Sequence, residues 1–312
     1  MVTLVVAEHN NFNLKSSTFS TISAAIKLGN EIHILVIGFN ILKIVKQAAR
    51  IFGISKVFFI DSSHLYHPLS ENFSLQIFTI AFSYNHILFP ATSFGKNIAP
   101  RVAAILDVSQ ISEVIDIKSD NIFCRFIYTG NVIATVQSHD KIKVITICPA
   151  SFESIEDYTG SAVIESIKAL PNVCMSSLIS YQTNINNFND LNNADIIVAG
   201  GKGFKNAKNF KILRILAQRL KAAIGASRAA IESGYAEKSW QIGQSGKIVS
   251  PKLYIAIGIS GSIQHIVGMK NSKIIVAINN DMKAPILNIS DYYIIGDLLE
   301  ILPKLINALS DD

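Results

Sequence analysis

Apolar runs typical of buried strands alternate with amphipathic, helix-like segments along most of the chain. In the first part of the chain, the strand-like runs occupy residues 2–10, 31–39, 56–61 and 86–92. The segments between them space their apolar residues as helices do. The first places Phe19, Ile22 and Ile26 on one face and ends at Gly29. This alternation predicts a mostly parallel sheet covered by helices on both faces.

A different pattern occupies residues 111–150, where strand-like runs follow one another without helical segments between them. Short polar turns separate these runs, including one at Gly130-Asn131. Because short turns join antiparallel strands, the pattern predicts an antiparallel portion here, which includes the run at 143–150.

The clearest boundary is the polar, Asn-rich segment Tyr181–Asn193, which shows neither helical nor strand periodicity. We therefore expect two domains, residues 1–183 and residues 184–312. In the second domain, strand-like runs occupy residues 194–201, 253–259, 273–279 and 291–296. Predicted helices cover 210–225, a segment from Ser262, and 298–309. The fold class is α/β, with two domains of the doubly wound type and a Rossmann-like second domain.

The helix predicted at 210–225 has a well-defined apolar face. Its members recur at helical spacing and are Phe210, Leu213, Leu216, Leu220 and Ile224. In doubly wound sheets, ligands bind beyond the carboxyl ends of the strands, so we expect the site there.

Composition narrows the class of protein. Apolar residues make up 49% of the 312 residues and charged residues only 16%, so the chain is rich in core material and poor in solvated surface. We expect that it either buries much of this surface against a partner or approaches a membrane. No apolar run reaches the ~18 residues of a spanning helix. The net charge of +5 comes from scattered basic residues, unlike the basic face of a nucleic-acid-binding protein. We expect no stable membrane insertion and no nucleic-acid partner.

The cysteines and histidines exclude further classes. Cys124, Cys148 and Cys174 are widely spaced, which argues against a disulfide framework and for a reducing compartment. Met1 leads straight into an apolar strand, so we expect no signal or transit peptide. We expect a bacterial cytoplasm, or the mitochondrial matrix for a mature eukaryotic chain. Histidines show no metal-ligand spacing and no nucleophile–base pair is visible, so we expect no metal site and no catalytic residue.

The richest stretch for chemistry is Gly225–Ile278, which combines many small residues with hydrogen-bonding side chains. Within it, the strand-like run 253–259 leads through Gly258-Ile-Ser-Gly261 into a predicted helix start. That order points free backbone N–H groups at a ligand, most often the phosphate of a nucleotide or cofactor. The full dinucleotide-binding fingerprint is missing from this segment. The pattern is therefore equally typical of an ordinary loop that contains extra glycines.

Longer motifs decide between these interpretations. GASR, QIGQSGKIVSPKLYIAIGISGSIQH and IVAINND follow one another here, and VAEH, PATSFGKNIAPRVAAILDV and YTGNVIATVQS occur in the first half. In these motifs the chain resembles the electron-transfer flavoprotein alpha subunit. The resemblance implies an FAD-binding second domain and a first domain that packs against the beta subunit of a heterodimer. It implies the cofactor-binding residues Lys202, Ser227, Arg228, Gln241, Ile242, Gly243, Gln244, Ser245, Gly246, Ser260, Gly261, Ser262, Ile263, Gln264, His265, Asn279, Asp297 and Leu298.

The resemblance also implies a role for each group around the flavin. Arg228 lies over the isoalloxazine ring, where a fixed charge favours a reduced, anionic flavin. Ser245 meets the N5 edge, and His265 the pyrimidine end. The diphosphate and ribityl region is held by Ser227, Ser260 and Gln264, with dipole attraction from the helix near Ser262. Asn279 and Asp297 contact the adenosine.

Each of these residues also has a structural interpretation. Arg228 suits a salt bridge at a helix end, His265 suits a structural role in a turn, and Asp297 suits the N-cap of the last helix. Ser245 stands where the family usually has Thr, so it keeps the hydroxyl but lacks the methyl group that fixes the rotamer. Lys202 stands where the family usually has Arg, and lacks the planar, bidentate geometry of a guanidinium.

The function implied by the resemblance is that of an FAD-containing electron carrier without a catalytic substrate of its own. It would accept electrons from acyl-CoA and related dehydrogenases and pass them to a membrane quinone oxidoreductase, as in fatty acid beta-oxidation. Two alternatives remain at this stage. One is a doubly wound FAD- or NAD-dependent oxidoreductase that turns over its own substrate, and the other is a nucleotide-binding interaction module without redox chemistry.

Overall fold

The structure is a computed structural model that describes residues 1–130, 132–154, 156–180, 191 and 194–309. The chain divides into two compact units, Met1–Gln182 and Thr183–Asp312. The linker predicted at Tyr181–Asn193 lies outside the described residues, apart from Leu191. Both units are α/β, with a mainly parallel sheet in each, which confirms the predicted fold class.

Within the described residues, the first unit forms a nine-stranded sheet in the order β7-β6-β5-β8-β4-β1-β2-β3-β9. The strands are β1 Val2–Val6, β2 Glu31–Gly38, β3 Ile54–Asp61, β4 His86–Pro90, β5 Gln110–Ile117, β6 Ile122–Ile127, β7 Val132–Gln137, β8 Lys143–Ile147 and β9 Val163–Ser166. The helices are α1 Ser16–Leu28, α2 Leu42–Ala49, α3 Ser70–Ala81 and α4 Ser93–Leu106. Buried apolar clusters line both faces of this sheet, as the alternating pattern predicts.

Three details of the first unit differ from the prediction. Ile26 is 38% exposed, although Phe19 and Ile22 on the same helix are buried as predicted. The predicted antiparallel portion consists of β5, β6 and β7, whereas β8 runs parallel to both β4 and β5. Strand β9 was not predicted, because its four residues are mostly exposed and show no burial alternation.

The second unit contains a five-stranded parallel sheet in the order β11-β10-β12-β13-β14. Its strands are β10 Ile196–Gly200, β11 Ala223–Ala226, β12 Leu253–Ile257, β13 Ile274–Asn279 and β14 Tyr292–Ile295. Its helices are α5 Phe210–Arg219, α6 Arg228–Glu232, α7 Ile263–Ile266 and α8 Leu298–Ala308. Counted along the unit, the strand order is 2-1-3-4-5, one of the two common doubly wound orders, and the direction of winding reverses between β10 and β12.

The helix predicted at 210–225 is wrong in its second half. Helix α5 ends at Arg219, Lys221 turns with a φ of 50°, and β11 follows. Ile224 and Gly225, which were predicted to end this helix, therefore belong to a strand. Three of the four residues of Ala223–Ala226 are Ala or Gly, which have little strand propensity, and the pairing with β10 makes the segment a strand.

Candidate functional site

A cleft of about 760 Å³ opens at the carboxyl ends of β10, β12 and β13, where the direction of winding reverses. This is the edge at which doubly wound sheets bind ligands. The volume lies within the range of cofactor sites, about 300–1,000 Å³. Glycines form part of its floor, because Gly203 and Gly258 line the cleft and their turns cross, with the Gly203 N–H donating to the Gly258 carbonyl oxygen over 3.0 Å.

Most residues predicted to bind the cofactor line this cleft. They are Lys202, Ser227, Arg228, Gln241, Ile242, Gly243, Gln244, Ser245, Ser260, Ser262, Gln264, His265, Asn279, Asp297 and Leu298. The cleft therefore brings together segments that lie up to 96 positions apart in the sequence, from Lys202 to Leu298.

Gly246, Gly261 and Ile263 are not among the residues that line the cleft. A Cβ at Gly246 would lie 2.3 Å from the carbonyl oxygen of Gln241, so this glycine shapes the loop beneath the cleft. Gly261 has a φ of 85° and contacts the backbone of Ile286. Ile263 is 54% exposed.

The turn between β12 and α7 presents backbone donors to the cleft. Among the described residues, no protein acceptor pairs with the N–H groups of residues 260–264, and Ser260, Ser262 and Gln264 of this set line the cleft. The helix after the turn has four residues, so the dipole that it adds is small. The unpaired N–H groups themselves attract an anion.

Two polar side chains of one loop, Gln241 and Ser245, form a hydrogen bond with each other beside the cleft. The Nε2 amide of Gln241 donates to Ser245 Oγ over 2.8 Å. Gln241 is buried and Ser245 is exposed, so the amide fixes a hydroxyl that faces the solvent-filled cleft. Because Oγ accepts this bond, its own proton is free to point towards a ligand.

His265 is fixed by two bonds within the protein. Its Nδ1 lies 3.1 Å from the carbonyl oxygen of Ile242, and its Nε2 lies 2.9 Å from Tyr254 Oη. A carbonyl only accepts, so Nδ1 carries the proton and Nε2 accepts from the tyrosine hydroxyl. Burial lowers the pKa of His265 to about 4, against the opposing effect of the bond to Ile242. The ring is therefore neutral at physiological pH.

Other predicted residues also have partners within the protein. Ser227 caps α6 and accepts from the Ala230 N–H, and Asp297 caps α8 and accepts from the Leu299 N–H. The Asn279 amide donates to the Ile259 carbonyl over 2.9 Å. Arg228 pairs with Glu232 one helical turn away, with 2.7 Å between Nε and Oε1. The structural interpretations of Arg228 and Asp297 thus describe real contacts, while both residues also line the cleft.

Comparison with known proteins connects this cleft to a family. The model of the electron transfer flavoprotein domain matches residues 3–172, and that of the electron transfer flavoprotein FAD-binding domain matches residues 190–270. The electron transfer flavoprotein subunit alpha of Pseudomonas aeruginosa is 46% identical over 99% of this chain and all of that protein. The chain belongs to the electron transfer flavoprotein alpha subunit family.

Further relatives agree with this assignment. The electron transfer flavoprotein subunit alpha of Bradyrhizobium diazoefficiens is 44% identical over 98% of this chain and 97% of that protein. The mitochondrial subunit alpha of Dictyostelium discoideum is 43% identical, over 98% of this chain and 91% of that protein. The predicted family and its FAD cofactor are thereby confirmed. In the described part of the chain, none of the helices has the length and apolar character that crossing a bilayer requires.

The cleft of this electron transfer flavoprotein subunit suits an FAD. Lys202, Lys205 and Arg228 line it, against the carboxylates of Asp281 and Asp297. The three cations exceed the two carboxylates by one charge, and the unpaired N–H groups of the turn after β12 add further donors for the negative charge of a diphosphate. The glycine floor lets a ligand approach the backbone closely.

Sequence reasoning missed several residues of the cleft. Lys205 lies beyond the Gly-Lys-Gly turn with a φ of 65°, and its ammonium group is 3.9 Å from Asp297. No sequence motif indicates Lys205, because the conformation of the turn, and not a local pattern, brings this residue to the cleft. Asn280 and Asp281 belong to the quoted motif IVAINND and could have been included. The remaining missed residues are Gly203, Ala229, Gly258, Ile259, Ala284 and Gly296.

Proposed function

We propose that the chain is the alpha subunit of a heterodimeric electron transfer flavoprotein that accepts electrons from acyl-CoA and related dehydrogenases. It passes them to a membrane quinone oxidoreductase, and a beta subunit completes the heterodimer. The observation that supports this proposal best is the cleft at the winding reversal, where cations and unpaired backbone N–H groups face one ligand-sized volume. The first unit serves as the scaffold for the beta subunit.

The roles of the side chains follow from their contacts. The N–H groups of Ser260, Ser262 and Gln264 and the side chains of Lys202 and Lys205 would hold the diphosphate. Ser245 would offer its proton to the flavin, because its oxygen already accepts from Gln241. His265 supports the cleft wall as a neutral ring, and the positive charge of Arg228 would favour negative charge on the bound flavin. When bound, FAD supplies all of the redox chemistry.

A spectroscopic experiment tests the proposal. The chain is co-expressed with the beta subunit of a related flavoprotein, and the purified complex is examined by visible absorption. We expect the spectrum of bound FAD, bleached on adding an acyl-CoA and its dehydrogenase and restored by a quinone oxidoreductase. A colourless complex would favour the non-redox nucleotide-binding module. Bleaching by a small substrate without any dehydrogenase would favour an oxidoreductase with its own substrate.

Arg228→Ala is expected to lower the reduction potential of the bound flavin by about 60 mV, or about 1.4 kcal/mol for one electron. The variant removes a positive charge and leaves Glu232 without its partner, and both changes disfavour negative charge on the flavin. Spectroelectrochemical titration of the complex measures the shift.

The matched variant Glu232→Gln tests the sign of this effect. It leaves Arg228 in place without its counter-charge, so the potential should rise. Equal potentials in both variants and the wild type, with FAD still bound, would show that the pair only stabilises helix α6.

Lys202→Arg is expected to slow FAD dissociation by about fivefold, which corresponds to about 1 kcal/mol for a better-shaped, charge-assisted hydrogen bond. Lys202 is exposed, lines the cleft and has no protein partner among the described residues, so the longer fork of Arg has room to reach the ligand. Stopped-flow fluorescence of released FAD measures the rate.

The control is Lys208→Arg, at an exposed lysine of the same unit that does not line the cleft. Its dissociation rate should equal that of the wild type. Unchanged or faster FAD loss in Lys202→Arg would mean that the position contributes only charge or that its surroundings fit Lys better.

A further inference from the structure

Strand β7, Val132–Gln137, forms one edge of the nine-stranded sheet and has no neighbour on its outer side in the described structure. Its sequence, VIATVQ, contains no charge and no proline, and Val132 and Ile133 are 46% and 59% exposed. Monomeric proteins protect such edges with charges, prolines or bulges, because an unpaired apolar strand recruits another strand. At the opposite edge, β9 is shorter and carries Glu165, which pairs with Lys56.

The turn that leads into β7 supports the same conclusion. Tyr128 lies at the end of β6 with a φ of 48°, a left-handed conformation that costs a bulky residue about 1 kcal/mol or more. Its side chain is nevertheless 78% exposed, so no packing within the described residues offsets this strain. A contact outside the chain would use the aromatic ring that this backbone conformation presents.

Arg125 on β6 indicates that a partner at this edge would supply a hydrogen-bond acceptor. It lies opposite Ala134 of β7, and its Nε is buried without a hydrogen-bond acceptor in the described structure. Arg125 lines a cavity of about 330 Å³ together with residues at the end of β7, among them Gln137 and Ser138. A buried donor without a partner costs about 1–3 kcal/mol, and more when it is charged.

The acid already in this cavity does not neutralise the arginine. Asp140 accepts from the Ser109 N–H over 3.1 Å and from Ser138 Oγ over 3.4 Å. Among the described residues, no carboxylate forms an ion pair with Arg125. The cavity therefore contains a buried guanidinium N–H group without an acceptor, beside an unpaired strand edge.

We propose that β7 pairs with a strand of the beta subunit, and that this strand or its flank places a carboxylate against Arg125. The inference rests on the proposed function, which supplies the heterodimer, and it identifies the surface and its chemistry. A second copy of this chain is the poorer occupant. Arg125 is the only charged residue between Ile122 and Gln137, so pairing two such hairpins through β7 would supply neither arginine with an acid from the paired hairpin.

Two exposed residues at opposite edges of the sheet provide a matched test. Ile133 on β7 and Val163 on β9 are each 59% exposed, and each becomes lysine in its own variant. Each variant is co-expressed with the beta subunit, and the dissociation constant of the complex is measured by analytical ultracentrifugation. Ile133→Lys should weaken the complex at least about tenfold, whereas Val163→Lys should match the wild type.

The charge is tested separately. Arg125→Gln should also weaken the complex about tenfold, and Arg125→Lys should recover part of the loss because the positive charge is kept. Circular dichroism and limited proteolysis of the complexes that do form show whether each variant is folded. A second readout is the salt dependence of dissociation, which Arg125→Gln should reduce and Ile133→Lys should not.

The outcomes separate the two proposals. If the wild type forms no FAD complex with a beta subunit, the proposed function fails. If the wild type does form it, and folded Ile133→Lys and Arg125→Gln bind as tightly as the wild type, the assignment of this surface is wrong. Equal weakening by Val163→Lys would also overturn it, as would a homodimer of this chain that Ile133→Lys disrupts while the heterodimer is unaffected.

Discussion

Gly201→Ala should destabilise the second unit by about 3 kcal/mol or more and abolish FAD binding. The backbone of Gly201 suits any residue, with a φ of −104°. A Cβ there would, however, lie 2.0 Å from the carbonyl oxygen of Gly258 and 2.8 Å from the Cα of Ile259. Both obstacles are backbone atoms of the turn that forms the cleft floor, so relief requires β10 and β12 to move apart where the cofactor binds. Urea unfolding and FAD retention measure the two effects.

Gly234→Ala is the control for this substitution. Gly234 has a φ of 72°, and an added Cβ would meet no atom within 4 Å. It should therefore cost only the conformational penalty of about 1–2 kcal/mol and leave FAD binding intact. If Gly201→Ala is no less stable than Gly234→Ala, the close crossing of the two turns does not limit the stability of this unit.

Acidification should destabilise the second unit through His265, by roughly 3 kcal/mol between pH 6.5 and pH 4. Burial holds the pKa of the folded ring at about 4, below the usual value of 6.5. In this window the unfolded chain binds a proton that the folded chain excludes, so stability falls as the pH falls. Protonation at Nε2 would also remove the acceptor of the buried Tyr254 hydroxyl. The free energy of unfolding is measured by urea titration across this range.

His265→Gln isolates this contribution, because desolvation also lowers the pKa values of the half-buried His9 and the buried His86 in the first unit. The variant loses the two ring contacts, so its stability at neutral pH will be lower. The informative quantity is the slope of stability against pH, which should be shallower than in the wild type between pH 6.5 and pH 4. Parallel slopes would assign the acid sensitivity to other groups.

Much of the fold was predictable from local pattern. The runs that became β1 to β4 in the first unit, and β10, β12, β13 and β14 in the second, are apolar enough to be recognised as buried strands. The amphipathic segments between them predicted helices, and the inner faces predicted for α1 and α5 are correct over most of their length. These features depend on the spacing of residues within one segment, which the sequence contains directly.

The elements that were missed depend on pairing. Strand β11 consists of Ala, Ile, Gly and Ala. Its parallel pairing with β10 along its whole length makes a strand of a segment that was predicted as the end of a helix. Strand β8 has the same apolar character whether it runs parallel or antiparallel, and its direction follows from its place between β4 and β5. A neighbouring strand decides these cases, and a single segment does not identify its neighbour.

The candidate site shows the same difference between features that local sequence patterns determine and features that depend on contacts between distant segments. By itself, the sequence determined that polar residues and glycines follow the carboxyl ends of parallel strands, and its motifs identified the family and FAD. Only the tertiary structure decided that Lys205 joins the cleft, that Arg228 is paired with Glu232 and that His265 is neutral between Tyr254 and Ile242. The physical reason is that charge state and hydrogen-bonding capacity depend on burial and on partners from distant segments, which meet only when the chain is folded.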